Sequence, residues 1–342
     1  MDTPSVDDFL AETQEDDARK ALQRALRQLD EAKSKKVALV EAVYQAARDA
    51  ASGIDLTPVT APKKTKRASD RKAESAIVVL SDWQLGKVTA TYDSALCAER
   101  IATLGETVVS LTEIQRARHT VDECWVILGG DIVEGELIFP GQAHRIDASL
   151  FAQMMMVGPT VLGGFIRTML ATFDVVNVVG VIGNHGALGG RSRREMHPES
   201  NADAVLYETT RLALAGETRL SWRPTFTAGE RHWYELLNVR GNTLFAFHGD
   251  QVKGGFAGFP WYGFGKKLLG WHKMYGPFDF AISGHFHTPV RGHYNGIVHW
   301  GNGSIESDNT YAAENLAASG EPSQWLLFMA ERGVTAEYLV KL

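Results

Sequence analysis

Two cysteines, Cys97 and Cys124, are all that the 342 residues contain. That is too few for a disulfide framework or a cysteine-built zinc site, and it fits a reducing, cytoplasmic setting. No run of about 18 apolar residues occurs, so no membrane span is expected. The opening Met1-Asp2-Thr3-Pro4 lacks the apolar core of a secretory leader. The 33 glycines keep no three-residue period, which excludes a collagen-like chain. A strong charge bias is missing too. Residues 1–72 hold 13 acids and 14 bases, and residues 73–342 hold 28 and 21, so the larger part carries no broad basic nucleic-acid footprint. A protein that gathers carboxylates around divalent metals would also look acidic when counted without them. No Walker loop, His-Glu-x-x-His or Gly-x-Ser-x-Gly occurs, which argues against NTP-motor, zincin and serine-hydrolase chemistry.

What is present divides into three sections. With 44% hydrophobic and 22% charged residues the chain is ordinary for a folded protein, not a disordered one. Residues 1–50 read as a helical arm, in which Leu22, Ala25, Leu29, Ala32, Leu39, Val43 and Ala46 follow an a/d spacing interrupted at Lys36. Such a seam suits a coiled coil or helical hairpin that makes a homo-oligomer, or a helix packed on its own domain. Residues 51–75 contain Pro58, Pro62 and Lys63-Lys64-Thr65-Lys66-Arg67 and read as a basic linker, either a solvated tether or a phosphate contact.

From residue 76 onward the pattern changes to short apolar runs, each ending in polar residues and glycine. Ile77–Leu80 precedes Ser81-Asp82, and Cys124–Leu128 precedes Gly129-Gly130-Asp131. Val175–Ile182 precedes Gly183-Asn184-His185. Leu244–Phe247 precedes His248-Gly249-Asp250, and Phe278–Ile282 precedes Ser283-Gly284-His285-Phe286-His287. Continuous apolar runs imply strands buried on both faces. The stretches 95–118 and 148–172 have helical length and spacing. An α/β sheet delivers its functional side chains at the C-terminal strand ends.

The strand ends carry Asp82, Gln84, Asp131, Asn184, His185, His248, His285 and His287. Carboxylate, carboxamide and imidazole form a mixed oxygen/nitrogen set suited to Mn, Fe, Zn or Ni. His285 and His287 share one side of an extended segment, because strand side chains repeat every second residue. Asp131 is placed to bridge two divalent ions. Gly130, Gly183, Gly249 and Gly284 are expected to let the backbone turn sharply so that short side chains reach a common centre.

In this order the motifs resemble the calcineurin-like metallophosphoesterase superfamily. Asp82-Trp-Gln84-Leu-Gly86, Gly130-Asp131-Ile-Val-Glu134-Gly135, Gly183-Asn184-His185, His248-Gly249 and Gly284-His285-Phe-His287 carry the likeness, over residues 76–305. The resemblance implies a four-layer α/β/β/α sandwich and two divalent ions, with Mn the leading expectation. It implies that Asp82, Gln84 and His287 hold one ion, that Asn184, His248 and His285 hold the other, and that Asp131 bridges both. His185 would protonate the leaving oxygen. Two positions depart from the pattern. Gln84 stands where a histidine is usual, and a carboxamide is a poorer ligand for borderline metals. Gly186 stands where an acid would orient His185, so the histidine needs another partner, a backbone carbonyl or Asp250.

The resemblance leans toward the double-strand-break repair nuclease branch and its phage-encoded relatives, hence toward DNA. Residues 254–265 read as a glycine-rich aromatic loop whose Phe256, Phe259, Trp261, Tyr262 and Phe264 either stack on bases or pack on one another. Arg191, Arg193 and Arg194, with Lys266 and Lys267, read either as contacts to flanking phosphates or as solvated loop charge, and His144 and Arg145 either as contacts to the scissile phosphate or as surface residues. Three functions stay open: a DNA exonuclease or endonuclease, a small-nucleotide phosphodiesterase or phosphatase, and a non-catalytic binding module.

Overall fold

In the computed structural model the described residues are 42–43, 45–54, 57–62, 72–189, 200–223, 233–253, 259–308 and 321–342. The chain divides into Met1–Asp49 and Ala50–Leu342. Nearly all of the expected arm, and the Lys63–Arg67 run, lie outside the described residues, as do Arg191, Arg193, Arg194 and Phe256.

Two sheets organise the larger unit. The first has the order β11-β10-β1-β2-β3-β4 and the second β5-β6-β7-β9-β8. Strand β1 (Ala73–Leu80) is buried along almost its whole length because it is central, pairing in parallel with β2 (Thr120–Leu128) and antiparallel with β10 (Ser323–Ala330). Strand β3 (Val175–Gly180) extends the parallel side and β4 (Leu220–Arg223) ends it, while β11 (Gly333–Lys341) closes the other edge. In the second sheet β6 (Asn242–Phe247), β7 (Phe280–Ser283) and β9 (Ile297–Gly301) run in parallel. Antiparallel β5 (Tyr234–Val239) and β8 (Val290–Tyr294) form its edges.

Strand alternation decides which side chains meet between the sheets. Ile77 and Val79 of β1, Ile127 of β2, Val179 of β3 and Leu327 and Met329 of β10 pack on Leu237, Leu244, Ala246, Ile282 and Trp300 from the second sheet. The other face of the first sheet lies under helices. Helix α1 (Ser94–Arg116) starts at the Asp93 cap, whose side chain accepts from the Leu96 N–H at 2.8 Å, and buries Cys97, Ile101, Leu104 and Val108 at helical spacing. Helix α2 (Gly158–Thr172) buries Leu162, Phe165, Ile166 and Met169 beside α1 and α3 (Ala202–Ala213). The other face of the second sheet is covered by α4 (Trp261–Tyr275), whose Phe264, Leu268 and Trp271 join Phe245, Phe247 and Ala281. The result is the expected four-layer α/β/β/α sandwich.

Two corrections concern helices. Leu150–Thr172 is apolar and long enough to cross a membrane by length and composition, which the sequence reading overlooked. It is a packed helix in this fold, with Leu162, Ile166, Met169 and Leu170 fully buried. The expected aromatic loop is also partly helix. From Trp261 onward the chain enters α4, because the apolar residues Phe264, Leu268 and Trp271 recur at helical spacing and cover the sheet.

Candidate active site

The loops after β1, β2, β3, β6 and β7 meet at one edge of the sandwich, and backbone pairing brings them together. The Asp82 N–H donates to the Gly130 carbonyl at 3.0 Å, the Gln84 N–H to the Asp131 carbonyl at 3.1 Å, and the Gly284 N–H to the His248 carbonyl at 2.7 Å. Gly183 is required by proximity: a Cβ there would lie 2.3 Å from the Asp131 backbone nitrogen. Gly284 is crowded in the same way by the Asp82 carboxylate, whereas Gly130 turns the chain at φ +85°. The expectation of sharp turns therefore holds for Gly130 and for Gly249, at φ +127°, and close approach explains Gly183 and Gly284.

The backbone is strained at five of the seven expected ligands, and His285 and His287 have left-handed backbone instead of lying on the extended segment expected for them. Among the described residues eight non-glycine residues have positive φ, and five of them are Asp82, Gln84, Asp131, His285 and His287. Each such conformation costs on the order of 1–3 kcal/mol and persists only where its surroundings enforce it.

Asp131, His248 and His285 each offer a ligand atom, all within 4.8 Å of one another. The His248 Nδ1 donates to the Gly129 carbonyl at 2.8 Å, which leaves Nε2 facing the Asp131 Oδ2 at 3.0 Å and the Asn184 Oδ1 at 3.2 Å. Because Nδ1 is committed to the Gly129 carbonyl, Nε2 is the nitrogen that can bind an ion once it gives up its proton. Burial alone would lower the His248 pKa, but the Asp131 carboxylate holds it up at about 10. Burial, then the neighbouring His248, pushes His285 down to about 3. The same histidines keep Asp131 well below the usual carboxylate range despite its burial. These donors fit a divalent ion in ligand type and in separation.

Asp82, Gln84 and His287 also come together, in a different state. Asp82 accepts from the His285 N–H with both oxygens, at 3.0 and 3.1 Å, and its Oδ1 lies 3.4 Å from the His287 Nε2. The His287 Nδ1 donates to the Glu306 Oε1 at 2.7 Å. Burial would lower His287, but Glu306 raises it to about 10; the imidazole and Lys87 in turn hold the buried Glu306 at about 2. Gln84 turns its Nε2 toward the His287 Nε2 at 3.3 Å, while its Oε1 accepts from Lys87 at 3.3 Å. The amide oxygen therefore does not face the imidazole. This half of the site does not fit a metal as the other half does.

His185 stands at the rim. Its backbone N–H donates to the Asp131 Oδ1 at 2.7 Å, and its Nδ1 lies 3.1 Å from the Glu134 carbonyl and 3.2 Å from the Glu134 carboxylate. Of the two orienting partners expected, the backbone carbonyl is present. Asp250 is not the partner: its carboxylate accepts from Gln251, and the acid beside His185 is Glu134. Burial lowers His185, but Asp131 and then Glu134 raise it to about 9. Gly186 cannot supply the acid, because a Cβ there would sit 2.4 Å from the Asn201 Oδ1.

Four residues escaped the sequence reading. The Asp203 carboxylate accepts from the N–H groups of Asp131, Ile132, Val133 and Gly183 at 2.9–3.2 Å, tying two ligand loops to the start of α3. Burial and the charge of Asp131 raise it to about 6. Asn201 caps α3 through the Asp203 N–H at 2.8 Å and donates to the Gly183 carbonyl at 2.8 Å. The signal was legible: Asn201-Ala-Asp203 before an apolar run is a helix start. Glu306 and Lys87 carried no local signal.

The residues expected to contact substrate differ in exposure. His144 and Arg145 are exposed, at the end of the short turn Gln142–His144. Trp261 and Tyr262 are 45% and 80% exposed at the start of α4, beside exposed Lys266 and Lys267, whereas Phe259 and Phe264 are buried. An unexpected aromatic, Phe139, lies edge-on to His185 with ring centres 6.3 Å apart.

No family model matches the chain, and no curated protein matches it. Solved structures resemble it distantly. A predicted phosphoesterase from Streptococcus pneumoniae TIGR4 is 14% identical over 78% of this chain and 99% of its own, with a TM-score of 0.33. A novel archaeal phosphodiesterase is 11% identical over 78% and 99%, with a TM-score of 0.37. Vacuolar protein sorting 29 from Cryptosporidium parvum is 14% identical over 79% and 92%, with a TM-score of 0.39. Likenesses this remote assign neither a family nor an activity to the chain.

Proposed function

We propose that the chain is a metal-dependent phosphodiester hydrolase of the calcineurin-like type, and that its substrate is DNA. The observation that carries the reading is the buried trio Asp131, His248 and His285 with its ligand atoms within 4.8 Å, at the rim of which His185 stands. Asn184 would complete the set through its amide oxygen. A bound divalent ion, Mn by preference, would offset the charge of the phosphodiester and acidify a water.

The chain's own residues do the rest. Asp131 holds the His185 backbone in place, and Glu134 holds its Nδ1, so Nε2 is the nitrogen that gives a proton to the departing alkoxide. A pKa near 9 keeps that proton in place at neutral pH. Phe139 narrows the approach to His185 and offers a face to a nucleobase. Exposed Trp261, Tyr262, Lys266 and Lys267 combine rings with positive charge, the pairing that suits a single strand.

The test is a Mn titration with labelled single- and double-stranded DNA, cyclic nucleotides and bis-p-nitrophenyl phosphate. DNA cleavage that vanishes in Asp131→Asn supports the reading. Turnover of small diesters with DNA left intact replaces the substrate, and no turnover of any diester at saturating Mn removes the enzyme.

A further inference from the structure

The two halves of the site are unequal, and one of them holds a lysine. Leu85-Gly86 turns the chain so that the Lys87 N–H donates back to the Gln84 carbonyl at 3.0 Å, and Gly86 adopts φ +100° to allow it. The side chain then folds over Gln84. Its Nζ donates to the Gln84 Oε1 at 3.3 Å and forms an ion pair with Glu306, the same carboxylate that receives the His287 Nδ1. Lys87 is 15% exposed and Glu306 is 1% exposed, so this is an enclosed pair and not a surface one.

We propose that Lys87 takes the place of a second metal ion, so that the protein binds one divalent cation tightly, on Asp131, Asn184, His248 and His285. The inference rests on the metal-centre reading above and deepens it. An oxygen already accepting from an ammonium is a weak donor to a cation, and the ammonium repels a divalent ion brought beside it. Apart from Asp131, which is already committed to the first ion, the remaining donors are Asp82 and His287, and neither belongs to the group of ligand atoms that lie within 4.8 Å of one another. The ammonium leaves one positive charge fixed beside Asp82, Gln84 and His287, where a second ion would have brought two.

The experiment counts metal. The protein is stripped with chelator, loaded with Mn, and read by calorimetric titration and by the electron paramagnetic resonance of the bound ion. The wild type is expected to bind about one tight equivalent and give the spectrum of an isolated ion. Lys87→Met and Lys87→Gln are expected to bind about two, with the spectrum of a spin-coupled pair. The glutamine variant keeps a polar partner for Glu306 should the methionine variant fail to fold by circular dichroism. Two tight equivalents in the wild type overturn the proposal and leave the hydrolase reading standing. One equivalent in the wild type and in every folded variant also overturns it, since the lysine would then not be the cause. No Mn uptake by any of them overturns the hydrolase reading as well.

Discussion

At the scale of single residues, the site assigns separate work to its histidines. His185 sits with Nδ1 committed to Glu134 and with its pKa lifted to about 9 by Asp131 and Glu134 against the effect of burial. Replacing it with alanine is expected to slow DNA cleavage by about a hundredfold or more. Bis-p-nitrophenyl phosphate should be much less affected, because nitrophenolate leaves without needing a proton. Glu134→Gln keeps the carbonyl contact and loses the carboxylate, so kcat should fall roughly tenfold and the alkaline limb of its pH profile should move down. An unchanged limb would show that Glu134 does not hold that proton. His248 behaves differently. It is protonated in the metal-free protein at pH 7.5, with a pKa of about 10, and must give up that proton to bind an ion. Mn uptake should therefore release about one proton per chain, read from binding heats in buffers of different ionisation enthalpy, and His248→Gln should abolish the release.

At the scale of elements, the ligand loops are registered by side chains from a helix. Asp203 at the start of α3 receives four backbone N–H groups from the loops after β2 and β3. Asp203→Ala strips all four of their acceptor, and each buried orphan costs about 1–3 kcal/mol. A loss of at least about 3 kcal/mol, or roughly 6–12 °C in Tm, is expected by calorimetry, together with weaker Mn binding. These loops also show what the sequence could and could not say. The strands ending in Asp82, Asp131, His185, His248 and His285 were legible because buried parallel strands leave unbroken apolar runs. The edges β4, β5, β8 and β11 were not, since half-exposed strands mix polar and apolar residues. Asp203 and Glu306 reach the site across long sequence separations, and only the folded chain shows that they arrive; Lys87 is three residues from Gln84, and what the sequence does not show is its ion pair with Glu306. The aromatic segment misled because glycine spacing at 254–265 resembles a loop until the helical period of Phe264, Leu268 and Trp271 is counted.

At the scale of the whole molecule, the core between the sheets sets the resistance to unfolding. Ile127 is 1% exposed and packs in the core between the two sheets, so Ile127→Ala should cost about 2–5 kcal/mol in urea denaturation. The metal-free protein should also respond to pH in a defined direction. His248 and His287 have folded pKa values of about 10, above the ordinary value of 6.5. A raised value of this kind stabilises fully below about 6.5, and the stabilisation is lost as pH rises through 10. Urea midpoints in chelator should therefore fall between pH 7 and pH 10. Saturating Mn should flatten that slope, because the ion replaces the proton on His248.

The left-handed backbone at Asp82, Gln84, Asp131, His285 and His287 has a bearing on how such a centre can be altered. At these five places a branched side chain such as valine, isoleucine or threonine would meet steric resistance before any question of chemistry arose. Asparagine, aspartate, histidine and glycine suffer least. Attempts to retune which ion is held are thus confined to a small alphabet of replacements, and libraries restricted to it should yield folded variants far more often than unrestricted ones.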